Sequence, residues 1–122
     1  MQHDPELQVR FEMLQSKYLT TFEDYILDLD ALLMALPTSG DQHPVMDAIR
    51  FRVHRIAGTA PSLGYVSVGG LAAKVEELIG QWSAAQSWTL EQQIGTTLES
   101  LLDEMEGALD AQIPALPIAA TG

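Results

Sequence analysis

With 122 residues and 47% hydrophobic content, the chain can bury one real core but is too short to divide into two domains. Six cations against seventeen anions give a net charge of −11 and a pI near 4.3, which argues against nucleic acid as a partner, because phosphate backbones demand basic surface. The absence of cysteine removes disulfides and thiolate metal sites and suits the reducing cytoplasm, the expected setting.

In chain order, Met1-Gln2-His3-Asp4-Pro5-Glu6 lacks the basic and apolar regions of a signal peptide. Leu7, Phe11, Leu14 and Tyr18 recur at helical spacing and indicate a first short helix. Thr20 to Glu23 reads as a capping box, after which Phe22, Ile26, Leu29, Leu33 and Leu36 form the inward stripe of a longer helix. Spacing alone leaves open whether these are two helices or one bent rod. The breaker-rich stretch from Pro37 to Pro44 predicts a turn, with Asp41 as a cap for the next helix. Val45, Met46, Ile49, Val53, Ile56 and Ala60 then share one apolar face. Leu63-Gly64-Tyr65 ends that helix, and Pro61 is expected to bend or loosen its last turn. Ser67 is expected to cap a helix burying Val68, Leu71, Val75, Leu78 and Trp82. Thr89 is expected to cap a last helix burying Leu90, Ile94, Leu98, Leu101, Met105 and Leu109. Both Trp82 and Trp88 read as packing residues. No apolar run approaches the roughly 18 residues needed to span a membrane. The fold class expected is all-α: an antiparallel four-helix bundle with a short additional N-terminal helix. The bundle domain is assigned to residues 1–113 and a flexible tail to 114–122.

Three of the six cations, Arg50, Arg52 and Arg55, fall around one histidine, His54. At about 100° per residue, His54 lies roughly 130° from the centre of the apolar stripe and points outward. Asp47, Arg50, Phe51 and Gly58 share its face, whereas Arg52 points about 160° from Arg50's neighbour His54. A glycine inside a helix costs about 1 kcal/mol relative to alanine, so Gly58, one turn after the imidazole, indicates a need for open space. Geometry alone also admits a surface histidine beside incidental arginines. Other motifs fail. Gly64 to Gly70 has glycines at phosphate-loop spacing without the lysine and hydroxyl that motif needs. His3, His43 and His54 lack metal-ligand spacing, so no metal and no cofactor of its own is expected.

His54-Arg55-Ile56-Ala57-Gly58 running to Leu63-Gly64, then Leu71-Ala72 and Val75-Glu76, resembles the signature of histidine-containing phosphotransfer (HPt) domains. The resembling block spans about residues 45 to 80. It implies a phosphocarrier, not a self-sufficient enzyme, that accepts a phosphoryl group on His54 from a receiver-domain aspartate and passes it to another. It implies response-regulator receiver domains as partners, admits a hybrid histidine kinase among them, and implies Mg²⁺ held by the receiver. Glu76 matches the position whose side chain orients the imidazole, and Gly58 the position that keeps access open. Many family members carry a lysine where this chain has Ala57, which leaves Arg50 and Arg55 as the cations available to the phosphoryl group. Arg50, Arg55 and Phe51 are the expected docking contacts of a monomer. The lost lysine also admits a non-transferring helical adaptor that docks receivers, and a substrate domain of a larger histidine kinase is a third reading.

Overall fold

The computed structural model describes residues 4–112, so the expected tail at 114–122 and the end of the assigned domain at 113 lie outside the described residues. Four α-helices follow one another: α1 (Pro5–Ala35), α2 (His43–Thr59), α3 (Val66–Ala85) and α4 (Trp88–Gln112). Short 3-10 turns at Leu36–Thr38 and Pro61–Leu63 end α1 and α2. α1 packs on α2 and α4, and α3 packs on the same two, which closes the ring of a four-helix bundle. The pairings Asp28 with Arg52, Glu76 with His54 and Trp82 with Glu91 show that successive helices run antiparallel.

No separate N-terminal helix exists. Asp4 caps α1 by accepting from the backbone amides of Glu6 and Leu7, Pro5 occupies the first turn, and the helix continues for 31 residues. Nothing between Glu6 and Ala35 is a glycine or proline, so nothing breaks it. Thr20 is not a cap: its hydroxyl donates back to the Lys17 carbonyl at 2.6 Å, a bond compatible with helix interior. Leu7 and Leu14 are 60% and 55% exposed. Burial on α1 begins at Tyr18, whose hydroxyl meets Thr59 Oγ1 at 2.6 Å. Burial raises the Tyr18 pKa despite that bond.

The core is a single apolar cluster drawn from all four helices. Phe22 and Leu29 of α1, Met46, Ile49, Val53 and Ile56 of α2, Val75 and Ile79 of α3, and Ile94, Leu98, Leu101 and Met105 of α4 are fully buried. These stripes are the ones expected from helical spacing. Besides Thr20, three caps differ from expectation. The N-cap of α2 is Gln42 and not Asp41, with no side-chain capping bond from it. α3 begins at Val66, before Ser67, and no side chain caps it. At the start of α4 the Ser87 hydroxyl, not Thr89, accepts from the Leu90 amide. Asp41 lies just ahead of α2, where its carboxylate accepts from the His43 amide and meets the His43 ring at 2.9 Å. Trp82 is buried with its indole N–H donated to Glu91, whereas Trp88 stands exposed at the start of α4 and is not a packing residue.

The turn between α2 and α3 fixes how those two helices meet. Pro61 ends α2 by opening the 3-10 turn, and Gly64 takes a left-handed φ of 94° that favours glycine. The Pro61 ring then lies directly on α3 at Gly69, where an added β-carbon would overlap it, with the ring Cδ only 2.7 Å away. Gly69→Ala is therefore expected to lower stability by about 1–3 kcal/mol despite alanine's better helix propensity. Gly70, with nothing near its missing side chain, serves as the comparison. Gly70→Ala should raise stability by up to about 1 kcal/mol. Urea midpoints of the two variants check this, and a gain from both would contradict the assigned packing of Pro61.

Candidate functional site

His54 sits on the outer face of α2 because Val53 and Ile56, its neighbours in the stripe, are fully buried. Its side chain is 72% exposed. Glu76 lies on the flank of α3, between buried Val75 and exposed Glu77, and is 28% exposed. The two meet across the α2–α3 seam, with His54 Nδ1 2.7 Å from Glu76 Oε2. An ionised carboxylate can only accept, so a neutral imidazole in this pair must carry its proton on Nδ1. The lone pair then resides on Nε2, as a nucleophile requires.

The surrounding residues divide into those near the imidazole and those directed elsewhere. Gly58, one turn further along α2, leaves open space: an added β-carbon would meet nothing within 4 Å. Arg50, one turn before His54, extends toward α3, where its Nη2 lies 3.9 Å from where a Gly80 β-carbon would sit. Arg55 turns back over the exposed ring of Phe51, its guanidinium carbon 5.7 Å from the ring centroid. Arg55 and Phe51 thus form one cationic and aromatic patch beside the histidine. Arg52 points to α1, where it pairs with Asp28 at 3.3 Å and donates to the Ala48 carbonyl. Ala57 is half-buried against the core. A groove of about 870 Å³ lies between α1 and α4 and includes neither His54 nor Glu76. The imidazole is displayed on an open surface, which suits approach by a macromolecule more than capture of a small ligand.

A family model for the Hpt domain matches residues 13–111, a span that includes His54, Glu76 and the turn between α2 and α3. The chain belongs to the Hpt domain family. No curated protein and no solved structure matched it. Hpt domains are helical bundles that carry phosphoryl groups in phosphorelays, act as carriers more than as enzymes, and interact with receiver domains and kinases. Among the described residues of this Hpt domain, no helix is long and apolar enough to cross a membrane.

One residue of the site was missed by sequence reasoning. Gly80, the neighbour of the Arg50 guanidinium, is a mid-helix glycine like Gly58, and that signal was available. Its significance needs the antiparallel register: with His54 opposite Glu76, the residue four before the histidine comes opposite the residue four after the glutamate.

The cross-helix bond has a spectroscopic consequence. Ring ¹⁵N shifts of the neutral His54 imidazole in the Hpt domain should show the Nδ1–H tautomer, held by Glu76. Glu76→Ala should release it toward the Nε2–H form that dominates in free histidine. An unchanged tautomer in that variant would mean that Glu76 does not set the proton's position.

Proposed function

We propose that the Hpt domain accepts a phosphoryl group on Nε2 of His54 from a receiver-domain aspartate and passes it to a second receiver. The observation that carries this reading is an exposed imidazole whose Nδ1 is held by Glu76 at 2.7 Å. The Nε2 lone pair attacks phosphorus, the bond to the aspartyl oxygen breaks, and the carboxylate leaves with its electron pair. The ring becomes cationic, because Nδ1 keeps its proton, and the Glu76 carboxylate beside it balances that charge. The same steps in reverse load the next aspartate.

The group in flight spreads negative charge over three oxygens, and nearby guanidinium groups stabilise it. Arg50 supplies that charge directly. Arg55, stacked on Phe51, contributes to docking, since an exposed cationic and aromatic patch suits the acidic pocket of a receiver. Mg²⁺ belongs to the receiver in this scheme, and the setting is the cytoplasm. Ala57 favours a second reading, a helical adaptor that docks receivers without accepting phosphate.

Incubation with a panel of phosphorylated receivers separates the two. Transfer predicts acid-labile label on this chain that disappears in His54→Gln, because in sequence neither His3 nor His43 has arginines beside it, and both ring nitrogens of His43 are engaged, by Asp41 and Gln86. Docking without label supports the adaptor, and label retained in His54→Gln contradicts the assignment of His54. Gly58→Val should stay folded, since valine suits a helix better than glycine does and no side chain of the domain is in its way. It should nevertheless slow transfer by about tenfold or more, because displacing a partner by even an ångström misaligns the attack. A wild-type transfer rate would show that the open space at Gly58 has no role.

A further inference from the structure

Resting on the reading of His54 as phosphoryl acceptor, we propose that Gly80 is a positioning residue, holding room for the Arg50 guanidinium beside the phosphoryl group. The α2–α3 seam presents two residue pairs in register. His54 faces Glu76 at hydrogen-bond distance. One turn back on α2 and one turn on along α3, Arg50 faces Gly80, with Arg50 Nη2 3.9 Å from where a Gly80 β-carbon would sit.

No backbone requirement explains glycine at this position. Gly80 lies in the interior of α3, and Gly64 is the glycine with positive φ among the described residues. The atom that a β-carbon would meet within 4 Å is the Arg50 guanidinium nitrogen and no core atom. The space therefore belongs to the guanidinium. Arg52, by contrast, is spent on Asp28, and Arg55 on Phe51. Among the described residues Arg50 forms no ion pair, so its donors remain available to an anion.

The arrangement also accounts for how the site manages without a lysine at 57. A cation approaching from the turn after His54 is replaced by one from the turn before it. That cation reaches the group on Nε2 by lying across α3, and a long side chain at 80 would take its place. An added methyl would make only ordinary contact, so Gly80→Ala should be tolerated while Gly80→Leu should not.

Potassium phosphoramidate tests this without any partner. Nε2 attacks phosphorus, the P–N bond breaks, ammonia leaves from the zwitterionic reagent, and Nδ1 keeps its proton. The rate of phosphohistidine formation at His54, followed by ³¹P NMR, is compared among wild type, Arg50→Ala, Gly80→Ala, Gly80→Leu and Arg50→Ala/Gly80→Leu, with circular dichroism to confirm folding. Gly80→Leu and Arg50→Ala should each slow the reaction about tenfold, as expected for loss of one charge-assisted hydrogen bond to the phosphoryl group. The double variant should be no slower than Arg50→Ala, and Gly80→Ala should stay within about twofold of wild type. A wild-type rate in Gly80→Leu, or multiplied effects in the double variant, overturns the proposal. Should Gly80→Leu fail to fold, the more flexible Gly80→Met carries the same comparison. Wild type that takes no phosphate at His54 defeats the function reading itself, whereas phosphorylated wild type with uncoupled variants defeats only the role of Gly80.

Discussion

The 2.7 Å bond between His54 and Glu76 can form in only one register of α2 against α3, and much of the fold serves to hold that register. Val53 and Ile56 on α2, with Val75 and Ile79 on α3, are buried on either side of the pair, so sliding one helix by a turn would expose a core stripe. At one end of the seam, Pro61 seated on Gly69 and the left-handed Gly64 fix the turn. At the other, the His43 ring packs at a tilt against Trp82, with ring centroids 4.9 Å apart, and meets the Gln86 amide at 3.2 Å. Between these two anchors the imidazole is held by a single carboxylate while its other nitrogen faces solvent.

Charge is distributed to match. α2 carries Arg50, Arg52 and Arg55, half of the chain's cations, whereas α4 carries Glu91, Glu99, Asp103, Glu104, Glu106 and Asp110 with no lysine or arginine. An acidic partner is attracted to the histidine face and repelled from the α4 side. Such steering weakens as salt rises, because exposed charges are screened over about 10 Å at 0.1 M ionic strength. Coupling between Arg50 and its immediate surroundings is shorter in range and less sensitive to salt.

Much of this was legible because helical periodicity is a strong signal. The stripe from Met46 to Ile56 placed His54 outward, the family resemblance singled out Glu76, and the bundle followed from four such stripes. Residues whose geometry depends on a second helix were not legible. The interior threonines at the middle of α1 looked like a cap because Thr20 and Glu23 have capping spacing, yet no breaker interrupts the helix and Thr20 bonds backward to Lys17. Ser67 and Thr89 were reasonable caps by type, but each helix begins two residues earlier than those caps imply, at Val66 and Trp88. Trp88 looked like a packing residue by its apolar type, yet it precedes the inner stripe of α4. Arg55 was counted as a cation available to the phosphoryl group because it adjoins His54 in sequence, whereas it lies over the ring of Phe51 one turn earlier. The partnership of Arg50 with Gly80 could not be read until the register was known.

The central claim is that Glu76 fixes the proton on Nδ1 and thereby makes Nε2 the phosphorylated atom. Transfer from a phosphorylated receiver to ¹⁵N-histidine-labelled Hpt domain, followed by ¹⁵N–³¹P correlation, identifies the bonded nitrogen directly. The account predicts a single phosphorus bonded to Nε2 of His54, with Nδ1 still protonated. Phosphorus on Nδ1 of His54, or on either nitrogen of His3 or His43, would contradict it.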